Sequence, residues 1–142
     1  MFDPTRDQAR RFFIDAWRKY RAQEPLTGLE SMAAALVAMH PEYHELLQSP
    51  DAVLREWTPD DGQLNPFLHL SLHLAIEEQL QIDQPPGLAA AFDTARARFG
   101  DRHDALHVVL ECLGETVWRA QTTRSVPDGA AYLDCVRRKV SS

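Results

Sequence analysis

All six histidines of this chain fall into three pairs of identical spacing: His40 and His44, His69 and His73, His103 and His107. On an α-helix, residues four apart lie about 6 Å from each other along one face, so the spacing calls for helices and stacks two imidazoles on each. Two pairs extend further, into His69-x-x-Leu72-His73-x-x-Ile76-Glu77 and His103-x-x-Leu106-His107-x-x-Leu110-Glu111. The third, His40-x-x-Tyr43-His44-x-x-Leu47-Gln48, keeps the shape with Gln in the place of Glu. Flanking Leu and Ile residues turn these ladders toward a core. Polar groups inside an apolar stripe are costly unless paired, and a cation satisfies several imidazoles at once.

The rest of the chain reads as helix too. Nine prolines and six glycines punctuate it, and no run alternates apolar and polar residues long enough to propose a strand. Asp3-Pro4 opens a first helix through Phe13, Ala16 and Trp17, ending before Pro25. Thr27 with Glu30 forms a capping box for a second, which Pro41 kinks or restarts. Residues 49–64, with Pro50, Pro59 and Gly62, form the longest irregular stretch, with room for a short turn around Leu54 and Trp57. Asn65-Pro66 starts a third helix to about Gln81, Pro85-Pro86-Gly87 a fourth that stops at Gly100, Asp101 caps a fifth to Thr122, and Asp128 begins a last one. The expected fold is all-α, a compact bundle of about five to six helices with an inward-facing histidine and carboxylate site, forming one domain over residues 1–142.

Paired imidazoles with inward carboxylates are how bundle cores hold metal ions. The expected ligands are His40, His44, His69, His73, Glu77, His103, His107 and Glu111. Six nitrogens and two carboxylates exceed the need of one ion and suit two, with Glu77 and Glu111 bridging or capping them. The nitrogen-rich set argues against Mg, Ca and Mn; iron is the first choice and zinc the second. The first pair stands apart, because a kink at Pro41 sends its rings in different directions; its plain reading is two surface histidines beside a turn. The plain reading of Glu77 and Glu111 is a pair of solvated helix charges.

Composition bounds the partners. The formal charge of -6 comes with no dense Lys/Arg stripe, which argues against nucleic acid and anionic lipid. No window holds eighteen consecutive apolar residues, and Met1 to Arg11 carries charges where the apolar core of a secretory segment would sit, so a soluble, cytoplasmic protein is expected. Cys112 and Cys135 are too few and too far apart for a disulfide framework or a zinc ribbon, and read as thiols in a reducing compartment.

The segments His40-Pro-Glu-Tyr-His44, Asn65-Pro-Phe-Leu-His-Leu-Ser-Leu-His-Leu-Ala-Ile-Glu-Glu-Gln79, Gln84-Pro-Pro-Gly87, Glu111-Cys-Leu-Gly-Glu115 and Trp118-Arg-Ala-Gln121 resemble a bacterial family known as domain of unknown function 1841. The resemblance covers nearly the whole chain and implies a small cytoplasmic protein with the histidine segments as its hallmark; it brings no activity with it. The leading expectation is therefore a dinuclear non-haem iron protein with oxygen or redox chemistry, its partners being metal ions and O2 or another small molecule. One alternative is an interaction module built around structural zinc, and another a metal-free adaptor with buried histidines. Zinc hydrolase chemistry has little support, since no His-Glu-x-x-His string occurs.

Overall fold

The computed structural model describes residues 6–49, 51 and 65–141, and the regular structure within them is helical. In chain order the helices are α1 (Arg6–Arg21), α2 (Gly28–Ala38), a 3-10 turn (Pro41–Tyr43), α3 (His44–Leu47), α4 (Pro66–Ile82), α5 (Leu88–Phe99), α6 (Arg102–Thr123) and α7 (Gly129–Ser141). The all-α expectation holds, but the described residues contain seven α-helices where five to six were expected. The surplus comes from Pro41: lacking an N–H, it ends α2 instead of bending it, and α3 becomes a separate element. The Asp3-Pro4 cap and the turn expected around Leu54 and Trp57 lie outside the described residues.

The helix starts follow the capping chemistry. The Thr27 hydroxyl accepts from the Glu30 amide at 3.2 Å while the Glu30 carboxylate accepts from the Thr27 amide at 2.9 Å. Asn65 Oδ1 accepts from the Phe67 amide at 2.9 Å, and Asp101 Oδ1 from the His103 amide at 3.2 Å. Gly100 ends α5 at φ +74°, in the left-handed region that glycine enters without strain.

By its contacts the chain divides into two compact units, Met1–Leu74 and Ala75–Ser142, the division falling inside α4. In the first, α1 packs on α2. Phe13, Ala16 and Trp17, spaced three and four apart, meet Ala33, Leu36 and Val37 of α2 and Leu47 of α3, and Phe67, Leu70 and Leu74 of α4 complete the core. Each large apolar side chain so buried contributes about 1.5–3 kcal/mol relative to exposure. In the second unit α5, α6 and α7 pack on one another, burying Phe92, Leu106, Val109 and Val136. The Tyr132 hydroxyl, its pKa pushed up by burial, donates to Gln79 Oε1 at 2.8 Å.

The cysteines depart from the sequence reading. Cys112 on α6 and Cys135 on α7 are joined as a disulfide, with Cα atoms 5.8 Å apart. Their separation of 23 residues is large along the chain and small in space, because α6 and α7 form a hairpin. Closing a loop of that length stabilises the oxidised protein by about 3 kcal/mol on the chain-entropy account. Thiol titration of unfolded, unreduced protein is expected to find no free cysteine, and Cys112→Ala with Cys135→Ala to lose about that much stability in urea.

A second device was not foreseen. Asp83, at φ +50°, accepts the Ala89 amide at 2.9 Å and the Gly87 amide at 3.2 Å, so a carboxylate upstream of Pro85-Pro86 caps α5. Gly87 is required there: its φ is +99°, and an added Cβ would sit 3.0 Å from an Arg137 guanidinium nitrogen. The two amides lower the Asp83 pKa below its ordinary 3.8. A depressed carboxyl contributes stability above its unfolded value and loses it as pH falls through the folded one. Asp83→Asn is therefore expected to lower the urea midpoint at neutral pH, with the deficit against wild type shrinking below about pH 4 in a pH series.

Candidate metal centre

Pro41 also shapes the site. With no amide at position 41, α2 closes through Met39 N–H to the Leu36 carbonyl and His40 N–H to that of Val37, and two imidazoles join the same carbonyls. His40 Nδ1 lies 2.7 Å from the Leu36 carbonyl oxygen, and His44 Nε2 lies 2.8 Å from that of Val37. A carbonyl only accepts, so the proton sits on Nδ1 of His40 and on Nε2 of His44.

The consequences for the two rings are opposite. His40 keeps its Nε2 lone pair, and that atom lies 3.3 Å from Nε2 of His69. The His44 ring instead stacks on the buried Trp17 indole, centroids 4.4 Å apart. The pair spaced four apart does not form a ladder: its first member joins the pair on α4, and its second caps α2.

His40, His69 and His73 form a nearly equilateral cluster, with ring centroids 5.0 Å apart for His40 and His69, 4.9 Å for His40 and His73, and 4.8 Å for His69 and His73. One nitrogen from each ring lies within 4.8 Å of the others. His40 is 3% exposed and His73 fully buried, so any charge placed among them is largely removed from water. Among the described residues no Asp or Glu joins this group.

Tyr43, which the sequence reading passed over as the filler of the first pair, lines the cluster. Its ring lies parallel to that of His40 at 5.4 Å and edge-on to His69 at 5.9 Å. Burial, with the Glu42 charge beside it, pushes its pKa up, so it stays a neutral phenol. Its position in His40-x-x-Tyr43-His44 was the available signal.

The remaining expected ligands lie in the second unit. His103 and His107 are neighbours on α6 with ring centroids 4.2 Å apart, the ladder geometry their spacing anticipates. Glu77 is held by Arg102 in a two-pronged pair, Oε1 to Nη1 at 2.9 Å and Oε2 to Nη2 at 3.0 Å. This pairing raises the pKa of Arg102, whose guanidinium also lies over the Phe92 ring. Glu111, its side chain 65% exposed, takes Lys139 at 2.7 Å.

An all-imidazole cluster suits borderline transition metals and not the oxygen-seeking Mg, Ca or Mn. Two nitrogens each about 2.05 Å from a tetrahedral ion stand about 3.3 Å apart. The spacing of His40 and His69 therefore fits such an ion, and the Leu36 carbonyl is the outer acceptor that holds a ligating imidazole in its tautomer.

No curated protein and no solved structure matches the chain. The family model described as Domain of unknown function (DUF1841) matches residues 5–138, and the protein belongs to that family.

Proposed function

We propose that this protein binds a divalent transition metal, with His40, His69 and His73 as its principal ligands. The observation that carries the reading is the approach of the two Nε2 atoms to 3.3 Å with the Nδ1 atom of His40 committed to a carbonyl. In the neutral protein the two rings can share one N–H···N hydrogen bond, His69 donating to the His40 lone pair, whereas a cation takes both lone pairs at once. His103 and His107 belong to the proposal on their sequence pattern, as further ligands or as the nucleus of a second ion.

Two versions differ in the metal. Iron in an open site supports chemistry on oxygen or a peroxide; zinc in a closed site makes the protein an interaction module with a structural metal.

Reconstitution with iron, zinc, cobalt and copper followed by native mass spectrometry is expected to retain at least one ion per chain. His40→Ala, His69→Ala and His73→Ala should each remove it. His44→Ala should keep the ion and lose about 1 kcal/mol of stability from the α2 cap. Wild-type protein that retains none of the four metals refutes the proposal, and equal loss in the His44 variant refutes the division of labour between the first two histidines.

The metal is expected to stabilise the fold without creating it, because the first unit already has an apolar core. Chelation at a starting free metal concentration a thousand times Kd should lower the unfolding free energy by about 4 kcal/mol while helicity by circular dichroism stays largely intact. An unfolded apo-protein at room temperature would contradict this.

A further inference from the structure

We infer that Cys135 is a thiol-exchange site, at which a small amino-acid thiol of the cysteine or glutathione class opens the Cys112–Cys135 bond and stays as a mixed disulfide. The inference is independent of the metal-binding reading, since every residue it uses lies in the second unit. Its first ground is a cavity. Thr116 and Ala120 on α6, with Ala131 and Cys135 on α7, put short side chains into the α6–α7 hairpin, and the helices leave a hollow of about 370 Å³ there, at the lower end of the range for small-molecule sites. Cys135 lines this cavity, whereas Cys112 is fully buried and does not. Of the two bonded cysteines, only Cys135 is offered to a molecule in the cavity.

The second ground is charge. The cavity is flanked by two ion pairs, Arg119 with Glu115 at 2.6 Å and Arg138 with Asp134 at 2.9 Å, all four side chains open to water. Pairs so exposed hold their partners weakly, so guanidinium and carboxylate alike can turn to a ligand. Both signs on one rim suit a zwitterion, whose carboxylate a guanidinium takes and whose ammonium a carboxylate takes. Cysteine and glutathione carry both groups beside a thiol. In the exchange the incoming thiolate attacks Sγ of Cys135, the bond to Cys112 breaks, and Cys112 leaves with the electron pair and takes up a proton. The proton of the incoming thiol has gone to water, and Cys112 returns as a buried thiol. One disulfide is consumed and one formed, so no further oxidant or reductant enters.

The test uses glutathione as the probe. Cys112→Ala and Cys135→Ala, each leaving one thiol, are incubated with glutathione disulfide, and intact-mass spectrometry follows the adduct. In folded protein Cys112→Ala should gain one glutathione at least tenfold faster than Cys135→Ala, and the gap should close in urea. Equal rates in the folded state, or faster reaction at Cys112, overturn the site. Oxidised wild-type protein is then opened with glutathione or with the neutral thiol mercaptoethanol, each rate being divided by the rate in urea. Glutathione should keep the larger fraction, and Arg119→Ala with Arg138→Ala should cut that fraction severalfold while leaving that of mercaptoethanol unchanged. A fraction no larger for glutathione than for mercaptoethanol overturns the amino-acid class of ligand. Should a single-cysteine variant fail to fold, acid-quenched wild-type protein decides: glutathione is expected on the tryptic peptide of Cys135, and its presence on that of Cys112 overturns the site.

Discussion

The end of α2 governs what the first unit can do. Proline at position 41 cannot donate the hydrogen bond that would continue the helix, so the chain closes with short backbone bonds to the Leu36 and Val37 carbonyls, each of which has room for a second donor. Both are answered by imidazoles, His40 through Nδ1 and His44 through Nε2. Two accepting carbonyls thereby fix two tautomers. The same requirement that satisfies a helix terminus presents the His40 Nε2 lone pair to His69 and withdraws His44 to the Trp17 face. Had the helix run on unbroken, both rings would have faced one way and no third ring would have been recruited to the pair on α4.

This explains how far the site was legible in the sequence. Spacing of four on a continuous helix is a statement about direction, so His69 with His73 and His103 with His107 could be read as neighbours, and their rings are. For His40 and His44 the same spacing spans a helix break, where period no longer gives direction. Pro41 announced that break but not which ring would go where. Helix starts were legible because capping is local: Thr27 with Glu30, Asn65 and Asp101 each act within three residues. Asp83 was not, since it caps α5 from six residues before the Ala89 amide, across Pro85-Pro86. The Cys112–Cys135 bond was illegible for a related reason: chain separation says nothing until the α6–α7 hairpin is known.

Side-chain charge is where sequence pattern says least. Glu77 and Glu111 have the register of ligands, yet the helical register places them equally well for cations on neighbouring helices. Arg102 immediately precedes His103 in the chain, and its two-pronged grip on Glu77 joins α4 to α6 within the second unit. A bidentate pair with one partner 18% exposed is a stronger contact than the open surface pairs Arg119–Glu115 and Arg138–Asp134. Position on a helix face therefore identifies candidates, and competition among neighbours decides between them.

That competition bears on chemistry as well as packing. Each anionic ligand stabilises the higher oxidation state of an ion more than the lower, whereas neutral imidazoles make no such distinction by charge. On the metal-binding proposal, neutral donors from His40, His69 and His73 would hold a divalent ion in preference to a trivalent one. Three neutral donors thus select for an ion that keeps the divalent state, which is the chemistry both versions of the metal-binding proposal share.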